Sequence, residues 1–149
     1  MTAEDRTLTI TRTINKPRER VWQAWTTPEQ LVAWWSPEGF TTTIETMDVR
    51  SGGRCSLTLH GTHGDFSNLL VFDEVDEPSR LSYRYYPAAS EAEAEPVVTT
   101  IILVSAGDKT KLTLVLEYVS KEQKDFNTAQ YGAVRGANQT IDRLDAFLR

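Results

Sequence analysis

The stretch PRERVWQAWTTPEQLVAWW, Pro17 to Trp35, holds all four tryptophans of the chain. Pro17 and Pro28 divide it into two short segments with apolar residues at helical spacing. Val21, Trp22 and Trp25 mark the first, and Leu31, Trp34 and Trp35 the second. Proline suits a first helical turn, where its missing N–H has no partner to lose. Asn15 is the expected N-cap of the first helix and Thr26 or Thr27 that of the second, which Pro37 and Gly39 end. Helices this short do not persist alone, so the tryptophans must be buried against something larger.

The flanking sequence supplies it. Upstream, Leu8, Ile10 and Ile14 alternate with Thr7, Thr9, Thr11 and Thr13, a strand pattern that leaves Arg12 in the apolar register. Downstream, Thr42–Val49 alternates loosely before a turn at Gly52-Gly53. Cys55, Leu57 and Leu59 then oppose Arg54, Ser56, Thr58 and His60. Gly61–Asp65 reads as a hairpin turn into a strand over Phe66–Val75. Glu77-Pro78-Ser79 turns the chain into Leu81, Tyr83 and Tyr85, and a polar loop covers Ala88–Glu95. Val97–Val104 and Lys111–Tyr118 form a last hairpin across Ala106–Lys109.

From Ser120 the period becomes helical. Ser120 is an N-cap with Gln123 at capping-box distance. Phe126, Ala133, Ala137, Ile141, Leu144 and Leu148 form one stripe over about seven turns. The order is strand, two short helices, an antiparallel run and one long helix. It predicts an α+β helix-grip fold: a curved antiparallel sheet wrapped around the C-terminal helix, as one domain over residues 1–149.

Composition narrows the function. A formal net charge of −5 disfavours nucleic acid, which wants a basic face. Cys55 is the sole cysteine, so no intramolecular disulfide forms, as suits a reducing compartment. Met1–Arg6 is too polar for a secretory core, and the apolar runs are too short to span a bilayer. The expectation is a cytoplasmic protein without a membrane role, monomer or homodimer.

No nucleophile elbow, phosphate loop or dinucleotide fingerprint occurs. His60, His63 and Asp65 straddle a strand end and a turn and do not complete a coordination set, so no metal and no cofactor are expected. Cys55 lacks any neighbour that would activate it and reads as apolar filler. The tryptophans either wall a ligand cavity or only staple the helices to the sheet. The C-terminal helix carries Gly132, Gly136, Ala129, Ala133 and Ala137 where larger side chains are usual. Either helix and sheet approach closely there, or a void is left for a ligand. Arg12, Glu45 and Asn138 are polar groups for orienting that ligand, or else members of buried hydrogen-bonded pairs.

At this point the chain resembles a known superfamily. Pro17–Phe40, the segment MDVRSGGR (Met47–Arg54), the strand with Asn68 and Phe72, the turn Pro78–Leu81, TKLTL at Thr110–Leu114 and GANQTIDRL at Gly136–Leu144 are similar to the START-like, helix-grip (SRPBCC) superfamily. Within it they resemble the activator-of-Hsp90-ATPase homologues. Family members often carry an aromatic where this chain has Ala137, and tryptophan where it has Cys55. Both changes favour a roomier pocket, unless Phe126 or Tyr131 compensates.

The resemblance implies a hydrophobic cavity but no single activity. The leading expectation is binding of a small hydrophobic or amphipathic molecule, without an assigned reaction. Its walls are Trp25, Trp35, Phe40, Met47, Cys55, Leu57, Leu59, Phe72, Tyr83, Ile102, Leu114, Phe126, Ala133 and Ala137, with Arg12, Glu45 and Asn138 as polar groups. One alternative is a chaperone-accessory or stress-response role, against which stands the missing second domain of the namesake. The other is a cyclase- or hydrolase-like enzyme using the same cavity.

Overall fold

A computed structural model describes residues 6–36, 39–86, 95–125 and 133–149. Its seven strands are β1 (Thr7–Ile14), β2 (Thr41–Met47), β3 (Arg54–Gly61), β4 (Gly64–Asp76), β5 (Arg80–Tyr86), β6 (Val97–Ala106) and β7 (Lys109–Glu117). They form one antiparallel sheet in the order β1-β7-β6-β5-β4-β3-β2. From β2 to β7, chain neighbours are sheet neighbours. Only β1 departs: it pairs with β7 at one edge, while β2 begins at the other.

Helices α1 (Arg18–Thr26) and α2 (Pro28–Trp34) make that crossing. The residue preceding α1 is Pro17, with extended backbone and no side-chain cap, rather than the expected Asn15. The proline ring itself presets the turn, so a capping side chain is dispensable. Thr27 precedes α2, with Pro28 at its first position. All four tryptophans are buried. The indole N–H of Trp34 donates to the Ala24 carbonyl at 3.1 Å and joins the helices, and the rings of Trp25 and Trp34 meet edge to face at 4.6 Å.

The curved sheet and the C-terminal helix (Ala133–Leu148) enclose the core, as the helix-grip plan requires. Ile141, Leu144 and Leu148 are its buried stripe. Residues 121–125 are also helical, capped by the Ser120 hydroxyl, which accepts from the Gln123 N–H at 3.0 Å. The Gln123 side chain returns the contact to the Val119 N–H at 2.9 Å. Whether one helix runs unbroken from Ser120, as expected, lies outside the described residues, as does the polar loop before Glu95.

The Gly52-Gly53 turn hydrogen-bonds onto β4, with Gly52 N–H to the Phe72 carbonyl at 2.8 Å and Phe72 N–H to the Gly53 carbonyl at 2.9 Å. A Cβ on Gly53 would stand 2.1 Å from the Asp48 carbonyl oxygen, so only glycine fits this crossing.

Candidate functional site

The register sorts side chains to the two faces of the sheet. One row facing the helix runs Met47, Cys55, Leu70, Tyr85 and Val97 across β2 to β6. The next runs Phe72, Tyr83, Thr99, Leu116 and Leu8 across β4 to β1. Trp25, Trp35, Cys55, Leu57, Leu59, Phe72, Tyr83 and Leu114 are buried in the core these rows build, with Phe40, Met47 and Ala137 half-buried against it. Phe126 and the Ala133 side chain lie outside the described residues.

Two expected members are elsewhere. Ile102 stands between the core residues Ile101 and Leu103, in register with Arg80 and Thr113, on the opposite face. Apolar runs with no alternation conceal which face each residue takes. Glu45 sits at a β-bulge between Ile44 and Thr46, is exposed, and accepts a hydrogen bond from the Thr58 hydroxyl on that outer face. The bulge displaces it from simple alternation.

Arg12 and Asn138 do meet, though as a structural tie. Arg12 Nη2 donates to Asp142 Oδ1 at 2.6 Å, and to the carbonyl and Oδ1 of Asn138 at 3.4 Å each. This ion pair clamps the edge strand β1 to the C-terminal helix. Arg12, Glu45 and Asn138 therefore do not converge on one reaction centre. On the outer face His60 engages Asp65 through Nδ1 at 3.0 Å and Thr43 through Nε2. Among the described residues no three His, Cys, Asp or Glu side chains come together as a ligand set.

A polar cluster within the helix-facing rows adds Tyr85, Asn68 and Thr99 to the expected Trp35 and Tyr83. The Tyr85 hydroxyl donates to Asn68 Oδ1 at 2.6 Å, and Asn68 Nδ2 donates to the Phe66 carbonyl at 2.9 Å. Trp35 meets the Tyr85 ring edge to face at 5.9 Å. Trp35 and Thr99 stand beside the Tyr83 phenol. The signal in the sequence was the alternation of Leu81, Tyr83 and Tyr85; the partner Asn68 is on another strand.

Burial governs the titration of these groups. It raises the Tyr83 phenol against the opposing effect of Trp35 beside it. It also raises Tyr85, with Tyr118 adding to the effect. The Cys55 thiol is pushed up to about 12, first by burial and then by the charge of Glu45. All three stay neutral near pH 7, which fits hydrogen bonding and not nucleophilic attack. Two shallow surface recesses occur among the described residues, near Asn15 and Asp145 and near Gln139 and Arg143. Neither is lined by a side chain of β2 to β7. No helix among the described residues is long and apolar enough to cross a membrane.

An antiparallel sheet gripping a C-terminal helix, with apolar and phenolic side chains turned inward, defines a START-like domain. The chain belongs to the family described as activator of Hsp90 ATPase homolog 1-like protein, whose model matches residues 15–149. A crystal structure of a Mycobacterium smegmatis protein is similar at 27% identity and TM-score 0.85, covering 99% of this chain and 93% of that one. A solution structure of an Arthrobacter aurescens protein is 24% identical at TM-score 0.88, covering 99% and 88%. A Nitrosomonas europaea protein is 22% identical at TM-score 0.84, covering 99% and 96%. No curated protein matches the sequence.

Proposed function

We propose that the protein binds a small hydrophobic or amphipathic molecule between the concave face of the sheet and the C-terminal helix. The observation that supports this most is Tyr85. It lies on β5, the middle strand of seven, and faces the helix, yet it is only half-buried. Leu116 on β7 and Ala137 on the helix keep accessible surface in the same way. A middle-strand aromatic on the core face is normally sealed, because unfilled space there forfeits dispersion contacts. A ligand would restore them.

On this reading residues 1–149 act as one domain in a reducing compartment, and the protein holds its ligand without transforming it. The test is Ala137→Trp, with anilinonaphthalene sulfonate as the apolar probe. Wild-type protein should bind the dye, and the variant should lose that binding while its circular dichroism is unchanged. Equal binding by both, or none by the wild type, removes this reading.

A further inference from the structure

The polarity of the Tyr85–Asn68 pair allows the ligand to be specified further, on the basis of the binding function proposed above. A phenol has one proton to donate and an oxygen that accepts. Tyr85 gives its proton to Asn68 Oδ1 at 2.6 Å. Asn68 is itself held, since its amide nitrogen donates to the Phe66 carbonyl at 2.9 Å, and it is 2% exposed. That second bond fixes which end of the amide meets Tyr85. The phenol oxygen, on a half-buried ring braced by Trp35, is thereby left as an acceptor. Leu70 and Val97 flank it in register, and the Tyr118 phenol acts on it from nearby. A molecule with a hydrogen-bond donor satisfies the oxygen, whereas one with only a carbonyl places two acceptors together.

We propose that Tyr85 is a specificity-determining residue that accepts a hydrogen bond from a neutral hydroxyl on an otherwise apolar ligand, and that Asn68 is the positioning residue that sets this polarity. The raised titration of Tyr85 keeps its proton available for Asn68 over the physiological range. Alcohols and phenols on a hydrocarbon frame are the class selected. Simple hydrocarbons and ketones of the same shape are disfavoured.

Three rigid probes of nearly one shape test this: fluorene, fluorenone and fluorenol, measured by quenching of intrinsic tryptophan fluorescence. One neutral hydrogen bond changes affinity by about three- to ten-fold. In wild-type protein fluorenol should bind about five-fold tighter than fluorene, and fluorenone no tighter than fluorene. Tyr85→Phe should remove the preference, so that fluorenol and fluorene bind with about equal affinity. Asn68→Leu frees the phenol proton, so fluorenone should gain about five-fold over fluorene. A merely structural role for Asn68 would shift all three probes alike and overturn its assignment.

The inference fails if wild-type protein binds fluorenol no better than fluorene, or prefers fluorenone; the wild-type comparison needs no variant to fold. In that case probe binding itself still stands, and with it the proposed function. If none of the three binds, the proposed function and this inference fall together.

Discussion

At the residue scale, the acids whose titrating atoms are buried share one consequence. Cys55, Tyr83 and Tyr85 are all raised above their ordinary values of 9.0, 10.0 and 10.0, chiefly by burial. A raised group holds its proton longer in the folded chain than in the unfolded one. Its contribution is therefore fully present below the unfolded pKa and is lost as pH rises toward the folded pKa. For Cys55 that window runs from 9.0 to about 12. The urea midpoint should be flat up to about pH 8, as unfolded cysteine begins to titrate near there, and should fall ever more steeply above pH 10. A midpoint level through pH 11 contradicts this. The Cys55 thiol should also resist Ellman's reagent at pH 8 in the native protein and react at once in denaturant. Fast native reaction would show that the thiol is accessible.

At the element scale, the C-terminal helix is tied to the rest of the chain by two arginines of different standing. Arg12 reaches it from β1 through an ion pair in which Asp142 is largely exposed, so solvent screens much of its worth. Arg143 reaches outward from the helix to the segment between α2 and β2. Its Nη1 donates to the Ser36 carbonyl at 2.9 Å, to Ser36 Oγ at 2.6 Å and to the Phe40 carbonyl at 3.3 Å. Ser36 is buried, so its oxygens have no water to replace the guanidinium. Arg143→Ala should cost about 2–3 kcal/mol in denaturant unfolding, the worth of charge-assisted bonds to buried acceptors. Arg143→Lys should recover part of it, and a loss under 0.5 kcal/mol would mean the tie is slack. Gly136 offers the opposite case, because a Cβ there meets no neighbour. Gly136→Ala should stabilise the protein by about 0.8 kcal/mol, the difference in helix propensity. Destabilisation in thermal melts would show that the space is not empty.

At the scale of the whole molecule, the grip depends on β1. It pairs with β7 along its full length, from Thr7 against Glu117 to Ile14 against Thr110, and adds Ile10 and Ile14 to the core. These contacts pair the first strand with the last, so they form only when the rest of the sheet is in place. Deleting residues 1–14 should expose the β7 edge and part of the core, and the product should aggregate. A monodisperse, folded truncation by light scattering would show that the sheet from β2 to β7 and the helix suffice. Among the described residues the exposed large apolar side chains, Phe66, Val104 and Val119, are separate in sequence, and the Phe66 ring meets Phe40 at 6.1 Å. Isolated exposures of this kind are ordinary for a folded surface.

Period and punctuation alone determined the elements. Alternation over Leu8–Ile14, the two proline-started helices, the glycine turns and the helical stripe through Ile141, Leu144 and Leu148 are local patterns, and the helix-grip order follows from them. The family was legible on the same residues. The faces of particular side chains were not. Ile102 lies in a run apolar on both sides, where alternation is silent, and Glu45 sits at a bulge that no single-strand pattern reveals. Asn15 lost the cap to Pro17, because a fixed proline φ already sets the turn. The Tyr85–Asn68 bond joins residues 17 apart that meet because of how β4 and β5 pair. Which polar groups share the concave face is set by register and bulges, which arise only when strands pair across the sheet; that is why the tertiary structure, and not the sequence pattern, decided the candidate site.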